Sequence, residues 1–142
     1  MQRFLCDCGN VLFFGSSQCL KCASPVGYDP ARAVMVKVAA QNRVKRCQNG
    51  VKHGLCNWLL PSDSKEVLCL SCRMNRTIPD LNWGRNLMLW GRMETAKRRV
   101  LYGLLSLGIR LPSKTDNPSS GLAFDIVSTL SNPTVTTGHL NG

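Results

Sequence analysis

Eight cysteines in 142 residues, all within the first 72, constrain this chain more than any other feature. They fall into two sets: Cys6-x-Cys8 with Cys19-x-x-Cys22, and Cys47 and Cys56 with Cys69-x-x-Cys72. Two pairs at two separate turns can present four thiolates to one tetrahedral ion, which is the arrangement of a zinc ribbon. Gly9, directly after Cys8, suits such a turn because it tolerates positive φ. One pair in each set has ordinary knuckle spacing. The other is irregular: Cys6-x-Cys8 is tight, and eight residues separate Cys47 from Cys56. Each set occupies a segment of about 25 residues, below the roughly 40 at which an apolar core suffices without a cross-link. Phe4, Leu5, Val11, Phe13, Phe14, Trp58, Leu59 and Leu60 are the expected small cores around the metal.

Other uses of the thiols fit less well. Disulfides need an oxidising compartment. The start Met1-Gln2-Arg3-Phe4-Leu5-Cys6-Asp7-Cys8 is no export signal, because an acid and two cysteines interrupt its apolar stretch. An iron–sulfur cluster also takes four cysteines, but two separated hairpin-like pairs favour zinc. Eight cysteines in two matched sets argue for ligation over a redox switch. His53 lies between Cys47 and Cys56 and could replace a ligand; a surface or supporting role is the expected one. The expected cofactor is two structural Zn2+, with ligands Cys6, Cys8, Cys19, Cys22, Cys47, Cys56, Cys69 and Cys72. Four thiolates close each site, leaving no position for substrate. The only histidines are His53 and His139, so the H-E-x-x-H of a hydrolytic zinc helix is absent, as are a phosphate loop and a nucleophile elbow. Within these residues the sequence predicts no catalytic centre.

The rest of the chain reads differently. Val34 to Val38 alternates with period two and predicts a strand. From Asn82 to Gly108 the period becomes 3.6, and Trp83, Leu87, Leu89, Trp90, Met93, Ala96, Val100, Leu101, Leu104, Leu105 and Leu107 share half of the helical circle. That predicts one long amphipathic helix, with Asn82 as N-cap and Gly108 as the stop. Glu94 and Lys97 fall inside the apolar arc and Arg98 at its edge. Burying unpaired charge is costly, so a paired network or a contact with another module is expected, with Glu94 and Arg98 in the favourable i,i+4 order. Arg85, Arg92 and Arg99 repeat every seven residues as a solvent-facing stripe, a candidate surface for an acidic partner or nucleic acid. Pro112 to Gly121 reads as loop, and Leu122 to Leu130 as a short strand or helix. The formal charge is +10. Eight thiolates against two Zn2+ lower it by four, and most of the remainder lies on residues 81–114, with seven basic residues to one acid.

The order of motifs resembles a bacterial family of zinc-binding metallopeptidases with an N-terminal zinc-ribbon domain. The matching pieces are Phe4-x-Cys6-x-Cys8-Gly9-Asn10, Phe13-Phe14, Cys19-x-x-Cys22 and Gly27. Then come His53-Gly54-x-Cys56-Asn57-Trp58-Leu59, the block from Cys69 through Arg76-Thr77-Ile78-Pro79-Asp80-Leu81, and Glu94-x-Ala96-Lys97-Arg98-Arg99. Gly121-Leu122-Ala123-Phe124-Asp125 and Thr137-Gly138-His139 complete the series. The block from Cys56 through Leu81 is the most specific. The resemblance implies structural roles for the eight cysteines and an H-E-x-G-H peptidase motif downstream of this region. The chain is accordingly expected to be an N-terminal part of a longer protein.

The expected fold is a small metal-stabilised α+β structure. Two zinc-ribbon-like β-hairpin modules occupy residues 1–81, with sites at 6–22 and 47–72. The helix covers 82–108, and 109–142 form a linker and the start of an incomplete following domain. A cytoplasmic location, no membrane contact, and a partner in the peptidase domain or another protein are expected. The alternatives are a free-standing nucleic-acid-binding ribbon protein and a protein-interaction adaptor.

Overall fold

A computed structural model describes residues 3–128. Thr137, Gly138 and His139, and the end of the expected 122–130 element, lie outside the described residues. Within them the fold is small α+β: short hairpins, two four-cysteine clusters and one long helix.

Three antiparallel hairpins build the chain from Phe4 to Pro61. Strands β1 (Phe4–Leu5) and β2 (Val11–Leu12) pair with Phe4 opposite Leu12. Alternation then decides the first core. Phe4, Leu12 and Phe14 point inward, while Leu5, Val11 and Phe13 are exposed. Of the apolar residues expected in this hairpin's core, Leu5, Val11 and Phe13 are therefore corrected to the outer face, and Leu12 takes an inner position. Strand β3 (Val26–Asp29) pairs with β4 (Val34–Lys37), confirming the expected valine strand. Strand β5 (Val44–Arg46) pairs with β6 (Leu59–Pro61) across the short helix α1 (Gln48–His53).

The hairpins are locked together by close backbone approach. The Tyr28 amide donates to the Asn57 carbonyl at 2.9 Å. A Cβ on Gly27 would lie 2.4 Å from that same oxygen, so only glycine fits there. Asn57 answers with its side chain, donating to the carbonyls of Phe14 at 2.6 Å and Ser16 at 3.1 Å. Around this seam, Phe14, Tyr28 and Trp58 pack edge-on or tilted, with ring centroids 5.0–6.3 Å apart. Tyr102 completes the cluster at 4.7 Å from Phe14 and 5.4 Å from Tyr28. One aromatic core thus serves both cysteine-bearing halves and the long helix.

After helix α2 (Leu70–Arg73) and strand β7 (Asn75–Thr77), helix α3 runs Asn86–Ser106. It starts later than the expected Asn82. The Asn82 amide and side chain are held by the Asp80 carboxylate at 3.0 and 2.9 Å, a local turn that competes with capping. Its end follows the expectation. Gly108 has φ +75°, its N–H donates to Leu105, and that of Ile109 reaches back to Leu104, which is a Schellman stop.

The helix face is the main correction. Its buried residues are Asn86, Trp90, Glu94, Lys97, Arg98 and Leu101, a stripe at helical spacing made largely of polar groups. Trp83, Leu87, Leu89, Met93, Val100 and Leu107, expected to face the core, are exposed. Strand β8 (Phe124–Asp125) pairs in parallel with β7. The Asp125 carboxylate accepts from Thr77 Oγ1 at 2.7 Å and Arg76 Nε at 3.0 Å. No helix among the described residues is long and apolar enough to cross a membrane.

Candidate metal centres and the flanking helix

The four cysteines of each set converge so that their sulfurs all lie within 4.8 Å of one another. In the first set, Cys6 and Cys8 sit in the tight β1–β2 turn. The Gly9 N–H donates to the Cys6 carbonyl, and the Cys6 N–H to that of Asn10, both at 2.8 Å. Gly9 has φ +80°, as the turn demands. Cys19 and Cys22 occupy the second knuckle, closed by the Ala23 N–H on the Cys19 carbonyl at 2.8 Å. The sulfur separations are 3.8 Å for Cys6–Cys22 and 3.6 Å for Cys8–Cys19. A tetrahedron of Zn–S bonds of about 2.3 Å has an edge of about 3.8 Å, so the donor set fits zinc. Hydrogen bonding to the Ser24 side chain and backbone holds the Cys22 thiol down at about 6, towards the thiolate that a metal requires.

The second set explains its own irregular spacing. The eight residues between Cys47 and Cys56 are taken up by α1, for which Cys47 is the N-cap and Gly54, at φ +67°, the C-cap. The chain then folds back over the helix so closely that a Cβ on Gly50 would lie 2.1 Å from the Cys56 carbonyl oxygen. A helical excursion thus returns Cys56 to Cys47, which a ribbon with two-residue gaps does with a single turn. Cys69 is the N-cap of α2, and Cys72 lies one turn further on. Cys56 and Cys69 are 3.6 Å apart, and the Cys69 N–H points at the Cys47 sulfur at 3.4 Å. All four are buried, whereas Cys22 in the first set is exposed. His53 belongs to neither cluster; its ring packs edge-on against Trp90 at 5.7 Å.

The second centre is tied to α3 by a buried polar network. Glu94 Oε1 accepts from Asn75 Nδ2 at 2.8 Å, Trp90 Nε1 at 3.1 Å and Lys97 Nζ at 2.8 Å. Its other oxygen lies 3.9 Å from the Cys72 sulfur. Lys97 also donates to Asn75 Oδ1 and lies 5.3 Å from the Phe124 ring centroid. The expected network exists, but Glu94 pairs with Lys97 and not with Arg98. Asn75 and Asn57, the long-range partners that organise the interior, carry no local signal in the sequence.

The arginine stripe is solvent-facing, as expected, but it does not converge on one place. Arg92 and Arg99 border a groove between α3 and the loops at Gly15 and Gly54, while Arg85 borders a separate cleft beside Trp90 and Met93. Arg98 joins Arg92 and Arg99 in the groove.

A family described as "zinc-ribbon domain" matches residues 3–83, and one described as "Putative zinc-binding metallo-peptidase" matches residues 86–142. The chain is also similar to uncharacterized proteins of Mycobacterium tuberculosis and Mycobacterium bovis, at 36% identity over 143 residues. Those alignments cover 100% of this chain and 41% of each relative, so the chain spans about two fifths of the length of the curated relatives it matches. No solved structure matches it. The two clusters and the ribbon match together assign two zinc ions to the chain.

Proposed function

The chain belongs to the zinc-ribbon family, and from that premise we propose that it is a non-catalytic scaffolding and recognition module attached to a zinc metallopeptidase. The observation that carries this reading is the pair of closed four-thiolate clusters, the second followed closely by Asn75, which donates to Glu94 on the helix where the peptidase match begins. Bound zinc cross-links each hairpin pair and supplies folding free energy, about 10–16 kcal/mol in small zinc-finger peptides. The chain's own residues do the rest. Cys6, Cys8, Cys19 and Cys22 fix one ribbon-like module at 6–22, and Cys47, Cys56, Cys69 and Cys72 a second at 47–72. The Phe14–Tyr28–Trp58–Tyr102 cluster sets their position against α3. The exposed apolar side chains of α3, together with its arginines, form the face offered to the peptidase portion or another protein.

Metal analysis of the purified chain tests the proposal, together with a peptidase assay before and after chelation. Two zinc ions per chain, unfolding on chelation and no hydrolysis are the expected results. One zinc or none would overturn the two-module reading, and chelator-sensitive hydrolysis would overturn the non-catalytic one.

A further inference from the structure

Arg98 is 7% exposed, and its Nη1, itself buried, has no hydrogen-bond partner among the described residues. Its Nη2 donates to Thr95 Oγ1 at 3.4 Å. All eight acidic residues of the chain are among the described ones, and none lies within 4.0 Å of the guanidinium of Arg92, Arg98 or Arg99. The carboxylate nearest in sequence, Glu94, is already held by Lys97. A buried cation without a counter-charge is costly and calls for an anion from elsewhere.

The place for that anion is the groove of about 580 Å³ between α3 and the loops at Gly15 and Gly54. Arg98 lies on its wall, with Arg92 and Arg99 exposed beside it. Leu55 and Met88 also line it, and an adjoining pocket that shares Arg98 and Arg99 is lined by Phe13, 61% exposed. We propose that this groove binds an acidic peptide segment. One aspartate or glutamate carboxylate sits on Arg98, and neighbouring apolar side chains rest on Leu55 and Met88 on one side and on Phe13 on the other. The proposal rests on the recognition half of the function above and names the chemistry of the partner.

A peptide suits the site better than a nucleic acid. A phosphodiester strand carries a charge at every nucleotide and is held by a track of exposed cations with successive stacking rings. This groove has one buried cation, two exposed ones and a single exposed ring. A guanidinium without a counter-charge on the groove wall instead matches one projecting carboxylate, and the apolar surfaces match the residues beside it.

The test measures fluorescence anisotropy of labelled probes with the zinc-loaded chain. The probes are a short peptide with one glutamate between leucines, the same peptide with glutamine, and a single-stranded oligonucleotide. Saturable binding of the glutamate peptide is expected, weakened about 10-fold or more by glutamine in the peptide or by Arg98→Gln. Arg99→Gln, on the exposed rim, should weaken it less, and Arg85→Gln, equal in charge but facing another cleft, should leave it unchanged. The unfolding midpoint of Arg98→Gln should stay level or rise, because the one long hydrogen bond to Thr95 is lost while a buried charge without a counter-charge is removed. Equal binding of the two peptides, equal losses from Arg85→Gln and Arg98→Gln, no binding at all, or tighter binding of the oligonucleotide would each overturn the proposal. Such a failure in a chain that still holds two zinc ions leaves the scaffolding reading intact.

Discussion

Replacing Lys97 by methionine should be among the most damaging single changes outside the cysteines. Glu94 is 1% exposed, and the Lys97 ammonium sits 2.8 Å from its carboxylate with both side chains removed from solvent. At that distance and an effective dielectric of 20 the attraction is about 6 kcal/mol before desolvation is counted. Desolvation offsets much of it, so the pair itself adds little net stability. Removing one member is different, because it strands a buried charge and costs about 3–5 kcal/mol. A domain of this size holds about 5–15 kcal/mol in all, so the loss should lower the unfolding midpoint by about 10 °C. Thermal unfolding of the zinc-loaded chain reads the midpoint and urea unfolding the free energy, with metal content checked alongside. The double variant Glu94→Gln with Lys97→Met is the decisive control. Glutamine can still accept from Trp90 and Asn75, so the double variant should return to within about 1 kcal/mol of the parent. A single-variant cost under about 1 kcal/mol, or a double variant no better than the single, would refute the reasoning.

Gly50→Ala should cost about 3 kcal/mol and lower zinc content at the second site only, read by urea unfolding and metal analysis, since its methyl meets the Cys56 carbonyl. Cys69→Ser, at a fully buried ligand, should lose one zinc and much of the fold, whereas Cys22→Ser, at an exposed one, should lose one zinc and keep the second. Burial, with Tyr102 and Asp29 nearby, pushes the Tyr28 phenol up to about 12 from its ordinary 10.0. The folded chain therefore keeps this proton longer than the unfolded one. The associated stability is complete below about pH 10 and falls as pH rises towards about 12. Tyr28→Phe should flatten that alkaline decline in thermal unfolding, and an unchanged slope would count against the assignment.

The cysteine sets, the valine strand and the helix stop at Gly108 were all legible, because each depends on neighbours in sequence. Ligand pairs form at turns, alternation is local, and a glycine stop needs only the residue after the helix. The packing of α3 was not legible. Periodicity places apolar residues on one arc, but the side that is buried carries Glu94, Lys97 and Arg98, because Asn75, just beyond the second cluster, supplies polar contacts to Glu94 and Lys97 from outside the helix. Trp83 is exposed for a related reason: the Asp80 turn keeps it ahead of the helix. The wide gap between Cys47 and Cys56 is intelligible only once α1 is seen to fill it.

The aromatic cluster has a consequence for how metal is acquired. Phe14 lies within the first cysteine set and Tyr28 just beyond it, Trp58 follows Cys56 of the second, and Tyr102 comes from α3. When one half takes up its ion and folds, it presents ordered rings to the other, which then has less disorder left to overcome. Occupancy of the first site should therefore raise affinity at the second, and the reverse by an equal factor. Stepwise zinc titration should show positive cooperativity, and Trp58→Ala should weaken it while leaving all eight ligands in place.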